Sequence, residues 1–378
     1  MISIGRLAAI ARKETLHVLR DWRSLGLAIA IPMLLILLFG YALDLDVDDV
    51  PTVVWDQSRT PQSRALLAAF DGSPYFSLSS SCEGYGGLQR ELDSGRAMIA
   101  LVIPSDFAAA LDAGRSVSIQ VLVDGSDANT ARLALGYATA LGLIYNQRLT
   151  VRYAEQAGLG RLDAPVGVAA RAWYNPELRS TNATVPGVIA IVMMVIAALL
   201  TSVTVAREWE LGTMEQLIST PLRAPELILG KLAPYLAIGF LDVLLAVAMA
   251  QWVFAVPLRG NPGLLFGLAV VFLVGALCMG LTIGIAVKQQ VLAIQVALLA
   301  TFLPALLLSG FMFAIRNMPQ AIQLITYLVP ARYFIVLLRG IYLKGIGLEV
   351  MWLSALVLIV WALLAMVIAH RRLRLRLE

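Results

Sequence analysis

The sequence predicts a polytopic α-helical membrane protein with six transmembrane helices and an α/β extracytoplasmic domain inserted between the first and second. Three observations predict it. First, 59% of the 378 residues are hydrophobic and 14% are charged, against about 25% charged in a soluble globular domain, and mean hydropathy is +0.80. Second, apolar stretches at 25–43, 186–206, 232–256, 263–287, 291–313 and 351–369 are each long enough to cross a ~30 Å hydrocarbon core. Third, residues 44–182 alternate between short β-type and helical runs. The net charge of +4 lies mostly in short segments beside the apolar stretches, as the positive-inside rule produces. No basic patch is interleaved with aromatics, so nucleic acid is not an expected partner.

Residues 1–24 carry Arg6, Arg12, Lys13, Arg20 and Arg23, with Ile4, Leu7, Ala8, Ala11, Thr15 and Val18 near helical spacing. This predicts an amphipathic helix on the cytoplasmic surface, in contact with membrane lipid. A signal peptide is the competing reading. The long basic region and the poor cleavage site at Gly40-Tyr41-Ala42 weigh against it. Asp44, Asp46, Asp48 and Asp49 follow the first span at once. Basic before and acidic after sets the N-terminus in the cytoplasm and the insert outside.

In the insert, residues 52–55, 75–79, 97–103 and 117–123 read as strands. Residues 62–70, 88–94, 107–111 and about 127–156 read as helices. That alternation describes a small α/β or α+β domain. Asp124-Gly125-Ser126-Asp127 reads as a turn and helix cap. A metal reading has Asp124, Asp127 and Asn129 for oxygen ligands, but the spacing is not that of an EF-hand loop.

After the second span, the Arg259 loop falls outside and the Lys288-Gln289-Gln290 turn inside, with the basic tail from His370 to Arg376 cytoplasmic. The outer segment 316–345 breaks the charge rule and is too apolar for a plain loop. It reads as a pair of helices dipping into the outer leaflet, which is tolerated where broken backbone is buried in protein. No internal repeat supports an inverted-repeat carrier.

No enzyme constellation is present in the sequence. There is no HExxH or GxSxG motif, Cys82 and Cys278 form no CxxC pair, and His17 and His370 are the two histidines. Gly230-Lys231 resembles the end of a P-loop, but Leu232 replaces the Ser/Thr and residue 225 is proline. The chain is therefore expected to hold no nucleotide, cofactor or metal of its own.

The stretch 207–231 is charged yet lies between two spans. Thr213 with Gln216 reads as a capping box, and Met214, Leu217 and Ile218 share a helical face. Thr220-Pro221 stops that helix, while Pro225 and Glu226 suit the start of the next. It reads either as a connecting loop or as a short stiff element for a partner to push. Asp242 lies about 15 Å deep in the third span. It is either a functional acid or a carboxylate paired at a helix interface. Gln251 and Gln295 suggest interhelical hydrogen bonds. Pro304 is expected to kink the fifth span, and Gly267, Gly275, Gly280 and Gly284 to permit close helix approach.

Two stretches together resemble the permease subunits of type-2 ABC exporters. The first is Arg207-Glu208-Trp209-Glu210-Leu211-Gly212-Thr213-Met214-Glu215-Gln216-Leu217, continuing through Thr220-Pro221-Leu222 to Gly230-Lys231. The second is Ser309-Gly310-Phe311-Met312-Phe313 with Asn317-Met318-Pro319, Tyr327, Pro330, Arg332-Tyr333-Phe334 and Leu338-Arg339-Gly340. Six spans and a large insert after the first match the drug-export-like subgroup. The resemblance implies a dimer with a second copy or a paralogue, and two docked ATP-binding subunits that hold ATP and Mg. It implies a coupling helix within 207–222, with Glu208, Glu210 and Glu215 as polar contacts. It further implies outer-leaflet helices closing the exit, with Asn317, Pro319, Pro330, Arg332 and Arg339 beside Asp242, Gln295 and Pro304 as pathway or gate candidates. The location implied is a bacterial inner membrane, the cargo amphipathic, drug-like or lipid-like, and a periplasmic adaptor a further partner. The run Ala314-Ile315-Arg316 departs from the more acidic family pattern. Two other classes remain from the residues alone: an ion-coupled carrier using Asp242, and a receptor whose insert binds a ligand.

Overall fold

A computed structural model describes residues 3–42, 48–126, 128–156, 173–175, 179–218 and 222–377. The chain divides into two compact units, Asp46–Ala170 and the remainder, Met1–Leu45 with Arg171–Glu378.

In chain order, α1 (Ile4–Arg20) ends at Asp21, and α2 (Trp22–Ala42) follows. The inward stripe of α1 is buried Ile10 and Glu14 flanked by half-buried Leu7, Ala11 and Val18, the i, i+3, i+4, i+7 pattern of one helical face. Ile4, Ala8 and Thr15, expected on that face, are exposed. The stripe is rotated towards Ile10 and Glu14 because α1 packs on another helix rather than on lipid alone.

The unit Asp46–Ala170 contains β1 (Val50–Asp56), α3 (Pro61–Asp71), β2 (Phe76–Ser81), α4 (Tyr85–Asp93), β3 (Ile99–Ile103), α5 (Phe107–Asp112), β4 (Gln120–Val123) and α6 (Ala128–Gln156). The sheet order is β2-β1-β3-β4. β1 runs parallel to both β2 and β3, and β4 is antiparallel to β3. One face buries Phe70, Phe76, Ile99, Leu101 and the α6 alanines Ala134 and Ala138. The other buries Val53, Leu88, Ala100 and Val102. β3 is buried along its whole length and accordingly reads as a continuous apolar run. The expected strand at 117–123 is confined to its last four residues. Asp124 accepts the backbone N–H of Ser126 at 2.9 Å, and that bond holds its carboxyl below the ordinary value. Asp127 lies outside the described residues.

The chain continues with α7 (Ser180–Glu210), α8 (Thr213–Ile218), α9 (Ala224–Trp252), α10 (Pro262–Val287) and α11 (Gln290–Leu308). A 3-10 turn (Ile315–Asn317), α12 (Gln320–Thr326), α13 (Pro330–Arg339), a π-helical turn (Gly340–Lys344) and α14 (Leu348–Leu377) complete it. Among the described residues six helices are long and apolar enough to cross a membrane, or seven if α12 and α13, bent by 79°, count as one span. This is a multi-pass helical membrane protein. The span limits differ from those read in the sequence. α7 carries Arg207–Glu210 as its last turn, and α9 already contains Lys231, because charge ends an apolar run without ending a helix. α11 stops at Leu308, before Gly310 with its positive φ of 80°.

α7 is the central helix. α10 approaches it so closely that a Cβ on Gly284 would stand 2.6 Å from the Ser202 carbonyl oxygen, and one on Gly280 would strike the Ala198 backbone. Thr201 donates across this seam to the Leu277 carbonyl at 2.9 Å, an interhelical bond of the kind that joins membrane helices. Gly275 faces Trp361 of α14, whereas Gly267 faces open space, so the expected close approach there is absent.

Candidate functional site

The residues singled out by sequence fall into two groups at opposite ends of α7. Ala183 and Glu208, which mark the two groups, are separated by about 38 Å of helix.

At the first end, α7 stops with Leu211 and Gly212 bonded back to the carbonyls of Arg207 and Trp209. Gly212 takes φ of 72°, a left-handed conformation that glycine adopts without steric cost. The separate helix is α8, Thr213–Ile218, shorter than the 207–222 expected, because Arg207–Glu210 continue α7. The Thr213 hydroxyl donates to the Glu208 carbonyl across this turn at 3.2 Å. Met214 is buried, facing a small void shared with Val205, Ile228, Ile285 and Leu373, where α7, α9, α10 and α14 meet. Leu217 and Leu222 pack at the edge of the same core. Glu215 and Gln216 are exposed. Pro221 lies outside the described residues. The next helix opens as expected, with Glu226 three residues in accepting the Arg223 N–H at 3.1 Å and also that of Ser3 at 2.7 Å.

Glu208 and Glu210 do not project freely. Glu208 pairs with Lys231 of α9 and, at 3.3 Å, with Lys13 of α1. Lys231 is also 3.0 Å from Glu14, and Glu14 is 3.3 Å from Lys13. Four alternating charges thus join α1, α7 and α9. Burial drives the Glu14 carboxyl up, but the ammonium groups of Lys231 and Lys13 outweigh it and hold the carboxyl below its ordinary value. Burial pulls the Lys13 ammonium down, and Glu208 and Glu14 outweigh it to leave it raised. Glu210 accepts the backbone N–H of Gln290 at 3.0 Å, capping α11. Lys288 lies 4.3 Å over the Trp209 ring. Gly230 supplies the space for this joint: a Cβ there would stand 2.8 Å from Ile10. The Gly230-Lys231 pair is therefore the seat of α1. Sequence reasoning named Lys13, Lys231 and Lys288 without a role in this joint, and it missed Glu14. One signal for Glu14 was legible, since it stands four residues from both Ile10 and Val18 on the buried stripe.

At the other end, Arg339 donates to the Ala183 carbonyl at 3.1 Å. Arg332 bonds the Thr326 hydroxyl and lies 4.1 Å over the Tyr327 ring, bracing the bend between α12 and α13. Pro330 is buried at the first turn of α13, Pro319 precedes α12, and Asn317 is exposed in the 3-10 turn. The Arg259 loop bonds the π-helical turn through the N–H of Gly260 and the Ile341 carbonyl at 2.9 Å. It therefore shares this end, opposite the Lys288 turn.

Between the ends, Asp242 is fully buried and both carboxylate oxygens lack a partner among the described residues. Of the two readings left open for it, pairing at a helix interface is not made among the described residues. Gln295 is exposed on α11 rather than at a helix contact, and Pro304 lies half-buried inside α11.

The fold and the joint define a multi-pass helical membrane protein with a short helix, α8, anchored where several spans meet. The chain belongs to the ABC-2 family transporter proteins, whose family model matches residues 22–371. It is 38% identical over 346 residues to the Probable multidrug ABC transporter permease YbhS of Escherichia coli K12, covering 91% of this chain and 90% of that one. It is 27% identical over 352 residues to YbhR, of the same description and organism, covering 92% and 93%. The Inner membrane transport permease YhhJ of Escherichia coli K12 is 27% identical over 306 residues, covering 80% and 79%.

Proposed function

We propose that this chain is the membrane-spanning subunit of an ATP-driven exporter, and that a separate ATP-binding subunit docks on α8. The observation that carries this reading is the network of Lys13, Glu14, Glu208 and Lys231. It ties α1 to the adjoining ends of α7 and α9, so a push on α8 moves three helices rather than bending a loop. ATP and Mg²⁺ belong to the partner. Coupling requires that α8 dock differently in the two nucleotide states.

In this reading α8 presents Glu215 and Gln216 to the ATP-binding subunit, and both termini face the cytoplasm. The unit Asp46–Ala170 is an α/β domain on the periplasmic side of an inner membrane, where it meets an adaptor protein. A second copy or a related permease completes the transporter. The braced pair α12–α13 closes the outer exit. The cargo is hydrophobic or amphipathic, in keeping with the multidrug description printed for YbhS and YbhR. The test is Glu215→Ala with Gln216→Ala. Co-purification with the ATP-binding subunit and stimulation of its ATPase should both fall, and unchanged values for both sink the coupling role.

The unpartnered oxygens of Asp242 favour one second reading, a carrier working alone with Asp242 as its proton or cation site. Transport by this chain reconstituted without an ATPase, and abolished by Asp242→Asn, marks that outcome.

A further inference from the structure

The unit Asp46–Ala170 holds a cavity of about 390 Å³ that the transport reading does not use. One wall is the end of α3, with Ala68, Ala69 and Gly72, and the turn Ser73-Pro74-Tyr75 that leads into β2. The other is Leu141, Ile144, Tyr145 and Arg148, the i, i+3, i+4, i+7 face of α6. The aromatic lining is held in place from behind. Tyr75 stacks on Tyr137, one turn back on the same face of α6, with ring centroids 4.1 Å apart. The Tyr145 hydroxyl donates to the Gln62 carbonyl of α3 at 3.2 Å. The α3 wall is made of small residues. Gly72 has an ordinary φ of −80°, so the turn does not itself require glycine there, and what glycine supplies is room.

Much of the hydrogen-bonding capacity of the lining is already engaged. The Ser73 hydroxyl donates to the Phe70 carbonyl at 2.8 Å. The Gly72 N–H donates to the Ala68 carbonyl, and the Pro74 and Tyr75 carbonyls accept the N–H groups of Asp49 and Val50. The one charged group of the lining, Arg148, is exposed and has neither ion pair nor hydrogen bond among the described residues. Asp71 at the end of α3 is exposed and forms no ion pair with it, and Arg152, one turn along α6, adds a second positive charge. The volume lies at the small end of the range of about 300–1,000 Å³ that ligand sites occupy. Two tyrosine rings offer a flat ring something to stack against, Leu141 and Ile144 add apolar surface, and a guanidinium takes a carboxylate through two parallel hydrogen bonds.

We infer that this cavity binds a small planar aromatic carboxylate of one or two rings, with the ring against Tyr75, Leu141, Ile144 and Tyr145 and the carboxylate at Arg148. The bound acid bridges α3 and α6, adding to the bond between Tyr145 and Gln62 that already joins those helices. The site lies within one compact unit, so it stands independently of the direction of transport and of the docking role of α8.

The full chain in phosphatidylcholine nanodiscs is dialysed to equilibrium against 2-naphthoate and, separately, against the neutral 2-naphthamide, with empty discs as the blank. Saturable binding of 2-naphthoate at one site per chain is expected. Ala68→Trp and Ile144→Trp change exposed side chains on opposite walls, and each should abolish it by filling the cavity. Arg148→Gln should weaken 2-naphthoate by about tenfold, the worth of one hydrogen bond to a charged group, and leave 2-naphthamide unchanged. Arg148→Lys should restore part of the loss. No saturable binding above the blank overturns the inference, as does binding untouched by both tryptophan variants. A loss in Arg148→Gln shared equally by the two probes overturns it too. So does efficient disulfide cross-linking of two copies through Ile144→Cys, because a second copy then covers the cavity. If neither tryptophan variant folds, the Arg148 variants decide.

Discussion

The ammonium of Lys231 on α9 lies 3.0 Å from the carboxylate of Glu14 on α1, and neither side chain is more than 3% exposed. Two opposite charges taken out of water gain little as a pair, because desolvation offsets their attraction, but removing one leaves the other stranded. Lys231→Met leaves the buried Glu14 with the half-exposed Lys13 as its remaining ion-pair partner and weakens the hold on Glu208. It should destabilise the protein by about 3–5 kcal/mol. The double variant Lys231→Met with Glu14→Met should recover most of that, since Glu208 keeps Lys13. Thermal unfolding of the purified chain in detergent reads both.

The same network fixes the direction of the pH response. A carboxyl held below its ordinary value of 4.5, as Glu14 is, stabilises the fold above that pH and loses its contribution as pH falls through the depressed value. Lys13, raised above 10.5, contributes below that pH and loses its share only as pH rises through its raised value. Stability attributable to the network should therefore be flat across neutral pH and fall in acid. In Glu14→Gln the acid limb should shrink. An unchanged acid limb counts against the pairing.

Gly230 and Gly267 make opposite predictions. In Gly230→Ala the new methyl meets Ile10 at 2.8 Å, so α1 must shift, at about 1–3 kcal/mol for overpacking. Ile10→Ala in the same chain should relieve it. Gly267→Ala meets nothing within 4 Å and should be neutral, or stabilising by up to about 1 kcal/mol through helix propensity. Protease accessibility of α1 distinguishes a displaced helix from general unfolding.

A buried carboxylate without a hydrogen-bond partner is costly, and among the described residues Asp242 has none. Asp242→Asn keeps the shape and removes the charge. It should raise thermal stability at neutral pH, or leave it unchanged where the acid is already neutral. Lower stability would mean that Asp242 holds a cation or proton-sharing partner in the native protein. Measuring export in the same variant separates a structural acid from a working one.

Much of this architecture was legible in the sequence because long apolar runs and short alternating runs report their own periodicity. The helix at α1, the strand at β3 and the Pro225-Glu226 start of α9 are local statements, and they hold. What was hidden are relations between distant residues. Glu208 reads as a free surface acid until Lys231 and Lys13 are brought beside it from 23 and 195 residues away. Gly230-Lys231 reads as a fragment of a nucleotide loop until Ile10 is seen resting on it. Asp242 was visible as an anomaly, but only packing shows that no described residue pairs with it. Gln295, polar inside an apolar run, faces outward because α11 leaves one side uncovered.

The seam between α7 and α10 has a mechanical consequence. At Gly280 and Gly284 the two backbones approach closely, and Thr201 and Val205 of α7 sit in the notches the glycines leave, so the seam resists one rod rolling or sliding on the other. The pair forms a keel. The flanking spans α2 and α11, largely uncovered by the rest of the chain, carry no such constraint and can move relative to it. Probes for motion belong on those two helices, with their reference points on the keel.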